Sequence, residues 1–199
     1  YVTGCYQRVF QPLDDYLQYD KDFNFTTLPE NLLDSTNFYP DDRHYAIPYN
    51  LSAYCLSYNR TMFEDAGLDP DDPPENWSEW LEYSNRLVKF DSKGVVTQLG
   101  IASGHPYGYI INPLRKQDVF AEDGLHSLYD QQYVVDNAEF VGKFDDLYNG
   151  KLPTGDNAPT FDFLNKNVAM DENTNLFDLN SRTTSGIDFD ICILPHPDD

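Results

Sequence analysis

Large apolar residues recur every three to four positions between residues 77 and 88, which is the period of an amphipathic helix. The predicted apolar face consists of Trp77, Trp80, Leu81, Ser84, Leu87 and Val88. Asn76 and Glu79 have the residue types and the spacing of a capping pair at the start of this helix. The pattern predicts a helix that packs its tryptophan-bearing face against the protein core.

Two further helices are predicted, one before and one after this segment. The stretch "NRTMFEDAG" indicates a short helix with Asn59 as its N-cap and Gly67 as its C-terminal stop. The stretch "NAEFVGKFDDLYNG", which starts at Asn137, repeats apolar residues at the helical period and ends at Asn149 and Gly150.

Strand patterns alternate with these helices. The stretch "VVTQLGIA" follows a turn at Lys93 and Gly94 and predicts one strand. The stretch "IDFDICIL" alternates apolar residues with polar or small ones, which predicts a half-buried strand. Its apolar face would consist of Ile187, Phe189, Ile191 and Ile193. This alternation of strands and helices predicts the α/β fold class.

One tyrosine-rich segment does not fit an ordinary strand. The stretch "HYAIPYNLSAYCLSYNR", from His44 to Arg60, has the aromatic content of a strand but contains Pro48. Because proline lacks the N–H group that a sheet needs, it is confined to edges, bulges or chain crossings. The segment is therefore either a kinked edge strand or a place where the chain passes between domains.

The composition restricts the possible partners. The chain has 199 residues and a formal net charge of -21, which repels nucleic-acid phosphates and anionic membrane surfaces. No apolar run approaches the roughly 18 residues of a spanning helix. The three cysteines, Cys5, Cys55 and Cys192, are far apart, which favours buried thiols over a disulfide framework or a metal site.

The sequence contains no catalytic or cofactor motif that we can identify. Its four histidines lack metal-ligand spacing, and no glycine-rich phosphate loop or nucleophile motif occurs. The acidic stretches lack the ligand pattern of a calcium loop, so we interpret them as solvated surface. Pairs of carboxylates for glycoside hydrolysis arise by chance in a chain this acidic. The residues therefore give no specific signal for catalysis, a cofactor or a metal, and we expect none of these; glycoside hydrolysis by a pair of carboxylates stays open as an alternative at this point.

The order of segments resembles the extracellular solute-binding proteins of carbohydrate ABC importers, the group that includes the maltose-binding protein. The resemblance lies in the proline-containing strand, in "LSYNR", "AGLDP", "PPENWSE" and "DSKGVVTQLG", and later in "NKNVAM" and "IDFDICILPHPD". It extends from Pro12 to Asp199, which is nearly the whole chain.

This resemblance implies a periplasmic-binding-protein-like fold of type II, in which two α/β lobes joined by a hinge close over a sugar. Residues 45–58 would form a hinge strand, residues 1–48 the tail of the N-terminal lobe, and residues 49–199 a truncated C-terminal lobe. The chain would then be incomplete at both ends. A lipid-anchoring cysteine, as in Gram-positive members, would precede Tyr1.

The resemblance also implies a set of residues that bind the sugar. Aromatic rings cover the apolar face of a pyranose, and planar polar side chains bond its hydroxyl groups. Tyr107 lies in "GHPYGY", where the family has a stacking aromatic, and Leu176 replaces the family's platform tryptophan. The implied ligand-binding residues are Tyr49, Asn50, Ser52, Tyr107, Asn173, Asn175 and Phe177.

The expected function is that of a monomeric extracellular or periplasmic receptor, which delivers a sugar or oligosaccharide to ABC permease subunits. Two alternatives remain. The first is a secreted carbohydrate-active enzyme, and the second is a solute-binding protein for a peptide, polyamine or polyol.

Overall fold

A computed structural model of the chain describes residues 10–20, 22, 37–38, 43–47, 53–102, 120–121, 126–148, 150–154 and 158–198. The chain divides into two compact units, Tyr1–Leu51 with Glu122–His126, and Ser52–Ala121 with Ser127–Asp199. The predicted lobe boundary between residues 48 and 49 lies outside the described residues and stays a prediction.

In the first unit, helix α1 (Asp14–Leu17) is hydrogen-bonded to the second of two short antiparallel strands, β1 (Asn37–Phe38) and β2 (Arg43–His44). The backbone N–H of His44 donates to Asp14 at 3.0 Å, and Arg43 donates to Asp15 at 2.6 Å. Partial burial raises the pKa of Asp14, but its hydrogen bonds with His44 outweigh this effect and hold that pKa below its ordinary value.

The second unit is a five-stranded mixed sheet with helices, as expected for an α/β fold. Its elements in chain order are β3 (Cys55–Asn59), α2 (Arg60–Asp65), α3 (Trp77–Leu87), β4 (Lys89–Phe90), β5 (Val96–Ile101), α4 (Gln132–Tyr148), a 3₁₀ turn (Phe163–Asn165), β6 (Val168–Thr174), α5 (Leu176–Thr183) and β7 (Phe189–Cys192). The strand order across the sheet is β4-β5-β6-β3-β7. Strands β5 and β6 are parallel, and the other pairs are antiparallel.

The predicted helix starts are confirmed for α2 and α3. The side chain of Asn59 accepts from the N–H of Met62 at 3.0 Å, and that of Asn76 accepts from the N–H of Glu79 at 2.9 Å. The capping pair differs in one respect, because the Glu79 carboxylate accepts from the N–H of Glu75 rather than from that of Asn76.

The ends of the helices also follow from the sequence. Gly67 after α2 and Gly150 after α4 have φ angles of 69° and 67°, which glycine adopts without strain. Helix α4 begins at Gln132 rather than at the predicted Asn137, so the sequence pattern missed its first five residues.

Helices α3 and α4 supply the apolar core on one face of the sheet. The ring of Trp77 stacks on Phe140 with centroids 4.3 Å apart, and Trp80 lies 5.3 Å from Phe144. The indole N–H of Trp77 donates to the carbonyl of Pro195 at 3.0 Å. Both tryptophans are buried, so they belong to the core, as their period predicted.

The predicted apolar face of the last strand is only partly correct. Ile187 is buried, but Ile191 is 43% exposed and Ile193 is 88% exposed, whereas Cys192 packs against the core. Strand β7 is at the edge of the sheet, and Ile191 lies opposite Ser57, whose small polar side chain offers little apolar contact. Sequence alternation alone did not show which face of this edge strand the helices cover.

Candidate functional site

Four strand ends lie at one edge of the five-stranded sheet, which we call the carboxyl edge. One of them is the end of β7, where Cys192 lies opposite Leu56. Strands β5 and β6 are parallel and both end there, with Ile101 beside Met170. Strand β3 is antiparallel to β6 and begins there, with Cys55 opposite Thr174. In open α/β sheets, ligands bind beyond the carboxyl ends of the strands. The topology makes this edge the candidate site.

Each predicted ligand-binding residue lies in, or close in sequence to, a strand that begins or ends at the carboxyl edge. Asn173 is in β6, Asn175 precedes α5, and Phe177 is in α5, although the side chains of Asn173 and Phe177 lie outside the described residues. The other predicted residues, Tyr49, Asn50, Ser52 and Tyr107, lie outside the described residues altogether. Their segments connect to β3 and β5 at this edge, and their roles stay predictions.

Asn175 has a structural role that the sequence analysis did not assign. Its backbone N–H donates to the carboxylate of Asp178 at 3.0 Å, and the N–H of Asp178 donates to the Asn175 side chain at 3.4 Å. This reciprocal cap starts α5 directly after β6. The Asn-x-x-Asp spacing was a signal from which the cap could have been predicted.

Strand β6 contains a β-bulge at the carboxyl edge. Cys55 pairs with Thr174 and Ser57 pairs with Asp171, so two steps along β3 correspond to three steps along β6. The extra residue falls at Glu172 or Asn173. Bulges occur next to functional sites, where they redirect a side chain or end the strand pairing.

A buried polar cluster, which we call the Arg182 cluster, holds β3, β6 and α5 together beside this bulge. It consists of Ser57, Asp171, Thr174 and Arg182. Arg182 is 5% exposed, forms an ion pair with Asp171 and donates a hydrogen bond to the Ser57 hydroxyl. The two hydroxyl groups of Ser57 and Thr174 are 2.8 Å apart, and Thr174 also donates to the carbonyl of Asp171 at 3.0 Å.

The Arg182 guanidinium also lies over the ring of Phe163, at 4.2 Å from the ring centroid. A cation over an aromatic face is attracted by the ring quadrupole. Sequence reasoning missed this cluster, because Ser57 is 125 positions from Arg182 and no local pattern joins the two.

Glu172, in the bulge, is a buried carboxyl group. It is 1% exposed, and its Oε2 atom has no hydrogen-bond partner among the described residues. Burial, with a smaller contribution from Asp171, raises the pKa of Glu172 to about 8. The hydroxyl of Tyr148 donates to the carbonyl of Ile101 at 2.7 Å, and burial raises the pKa of that phenol, with Glu172 adding to the effect.

Two of the pockets that described residues form are well defined, and neither is lined by a predicted ligand-binding residue. The larger, of about 330 Å³, lies at the other end of β6 and is lined by residues such as Asn59, Gln98 and Lys166. The smaller, of about 180 Å³, borders the Arg182 cluster and includes Phe163 and Asp178. Within the described part of the chain, no acidic, histidine or cysteine side chains are grouped to hold a metal ion. Among those residues there is also no helix long and apolar enough to cross a membrane.

Comparison with known proteins gives consistent matches. The model of a family described as bacterial extracellular solute-binding protein matches residues 8–199. Among curated proteins, the sn-glycerol-3-phosphate-binding periplasmic protein UgpB of Shigella flexneri is 40% identical over 57 residues, which are 29% of this chain and 12% of that protein.

Solved structures share the fold. The structure described as CpMnBP1 with mannotriose bound has a TM-score of 0.78 at 19% identity, over 98% of this chain and 52% of that one. Lmo0181 of Listeria monocytogenes in complex with cycloalternan has a TM-score of 0.74 at 18% identity, over 100% of this chain and 50% of that one. UgpB of Mycobacterium tuberculosis in complex with glycerophosphocholine has a TM-score of 0.67 at 22% identity, over 100% of this chain and 49% of that one. The chain therefore spans about half the length of these solved chains.

Proposed function

The chain belongs to the family of bacterial extracellular solute-binding proteins, and from this premise we propose that it is part of a receptor that delivers a carbohydrate to an ABC import permease. The observation that carries the proposal is the family match over residues 8–199. The fold agrees, because the sheet of the second unit and its helices match solved solute-binding proteins over nearly the whole chain.

A carbohydrate is the ligand that the chain's chemistry favours. The predicted ligand-binding residues are aromatic, amide or hydroxyl side chains, which suit a neutral sugar. A net charge of -21 disfavours an anionic solute unless the site supplies local cations. CpMnBP1 is described with mannotriose and Lmo0181 with cycloalternan, so oligosaccharides occupy two proteins of this fold.

A second ligand class has an observation of its own. The 57-residue match to a protein named for sn-glycerol 3-phosphate has 40% sequence identity, compared with 19% and 18% for the two oligosaccharide complexes. UgpB of M. tuberculosis is described with glycerophosphocholine. A polyol phosphate or its diester is therefore the alternative ligand. It would need cations at the site, and Arg182, the buried arginine beside the carboxyl edge, is already paired with Asp171.

The receptor function is favoured over an enzyme by the family and by the solved structures, which are those of solute-binding proteins. We propose an extracellular or periplasmic location, an ABC permease as the partner, and a lipid anchor if the source is Gram-positive. A product-release assay on a glycan panel tests the enzyme alternative, and released product would support it.

The decisive experiment is a ligand panel on the full-length protein, measured by thermal shift and then by calorimetry. The panel contains mannotriose, maltotriose, ribitol, sn-glycerol 3-phosphate and glycerophosphocholine. A ligand at one hundred times its Kd stabilises the folded state by about 2.7 kcal/mol. We expect the largest shift with an oligosaccharide. A shift with the phosphate compounds alone would replace the carbohydrate proposal by the alternative.

A further inference from the structure

We propose that the Arg182 cluster is a positioning device for ligand binding, which holds the β6 bulge and thereby fixes the course of the backbone from the bulge to the start of α5. This inference rests on the proposed receptor function and adds residues to it that do not contact the ligand.

The cluster spans the bulge. Ser57 pairs with Asp171 on the near side of the bulge, and Thr174 pairs with Cys55 on its far side. The Ser57 and Thr174 hydroxyls are 2.8 Å apart, and Thr174 donates to the carbonyl of Asp171 at 3.0 Å. These bonds close a loop around Glu172 and Asn173, so their backbone cannot straighten into regular pairing without breaking them.

Arg182 connects this loop to the helix that follows it. Its guanidinium binds Asp171 and Ser57 from α5, while Asn175 and Asp178 cap the start of the same helix. The segment between the bulge and Arg182 is therefore held at both ends. It contains Asn173, Asn175 and Phe177, the three predicted ligand-binding residues of this part of the chain.

A purely stabilising cluster is the simpler explanation, and two considerations count against it. A buried ion pair is weak evidence for stability, because the desolvation of both charges offsets their attraction. A planar guanidinium that binds two groups while it lies over the ring of Phe163 has a single orientation, which favours geometric precision.

The test compares variants of the full-length protein with matched controls. Arg182→Met removes the guanidinium, and Arg182→Lys keeps the charge but not the planar fork. Because Arg182→Met removes the ion pair of the partly buried Asp171 and could prevent folding, Thr174→Val provides a second, milder change that removes no charge. The controls are Arg60→Met and Thr97→Val. In wild type, the Arg60 guanidinium donates to the Pro70 carbonyl and the Asp71 carboxylate, and the Thr97 hydroxyl donates to the Lys89 carbonyl.

Each variant is measured by calorimetry with mannotriose and with maltotriose, and by hydrogen exchange of the segment 171–178 in the free protein. We expect Arg182→Met to weaken binding at least about tenfold and Arg182→Lys by less, with Thr174→Val between wild type and Arg182→Met. Both controls should lower the melting temperature and leave the affinity within about twofold. Exchange of the segment 171–178 should become faster only in the cluster variants.

The outcomes separate this inference from the proposed function. If wild type binds its ligand and the folded Arg182 and Thr174 variants bind equally well, the inference is overturned and the receptor function stands. If wild type binds no compound in the panel, the proposed ligand class is wrong. The exchange measurement, which needs no ligand, still tests whether the cluster holds the bulge. Unchanged exchange in the cluster variants would overturn the inference in that case too.

Discussion

Replacing Glu172 by glutamine should change how the stability of the second unit depends on pH. The carboxyl group is 1% exposed in the bulge of β6, and burial raises its pKa to about 8. In the unfolded chain a glutamate titrates near 4.3. Between these two values, the folded state keeps a proton that the unfolded state has lost.

The sign follows from proton linkage. Stability falls with rising pH wherever the folded state binds more protons than the unfolded state. The contribution of protonated Glu172 is therefore fully present below about pH 4, declines from there to about pH 8, and is lost above it. At about 1.4 kcal/mol per unit of pKa, the whole decline is on the order of 5 kcal/mol.

Glutamine has nearly the shape of the protonated acid and does not titrate. We expect Glu172→Gln to have nearly the melting temperature of wild type at pH 4.5, and to exceed it by about 10 °C or more at pH 8.5. The assay is calorimetric melting of both proteins at half-unit pH steps. Glu139, an exposed carboxylate on α4, provides the control, because Glu139→Gln involves no buried charge.

The informative quantity is the difference between Glu172→Gln and wild type, because other carboxylates affect both proteins equally. A difference that stays constant from pH 4.5 to 8.5 would refute the reasoning. It would mean that Glu172 is ionised and solvated in the folded protein, or paired with a group outside the described residues.

Two further predictions concern packing and helix capping. A Cβ atom at Gly100 would lie 1.9 Å from the backbone carbonyl oxygen of Ser84 in α3, whereas one at Gly142 in α4 meets nothing within 4 Å. Gly100→Ala should therefore destabilise the protein by about 3 kcal/mol or more, while Gly142→Ala stabilises it by about 0.5–1 kcal/mol; equal effects in urea unfolding would contradict this. Asn76→Ala should cost about 1 kcal/mol in the same assay, since it removes the cap of α3, and no loss would show that the Glu79 to Glu75 bond is sufficient.

Local patterns predicted three of the four helices described in the second unit, α2, α3 and α4, but missed α5. The caps at Asn59 and Asn76 and the glycine stops at Gly67 and Gly150 are contacts between residues close in sequence. The tryptophan-bearing face of α3 was also correct, because a helix that is apolar on one side can bury only that side. The α/β fold class followed from the order of these elements.

Long-range features could not be predicted in this way. The alternation in "IDFDICIL" was real, but burial of Ile191 and Ile193 depends on what covers an edge strand, and that is decided by distant elements. The Arg182 cluster joins positions 57, 171, 174 and 182, and the sequence presents them only as ordinary polar residues. The burial of Arg182 could not be predicted from the sequence, because its partners Ser57 and Asp171 are brought to it only by the fold.

The candidate site combines both kinds of information. The resemblance selected Asn173, Asn175 and Phe177 from the chain, and the strand register shows why this segment is constrained, since it follows a bulge and starts a capped helix. Asn175 then contributes to the helix cap, so a ligand role for it would have to coexist with that bond. Asn173 lies in the bulge itself, so of the three residues it is the one whose backbone the Arg182 cluster holds most directly. The affinity of the Arg182 variants should therefore parallel that of Asn173→Ala more closely than that of Asn175→Ala.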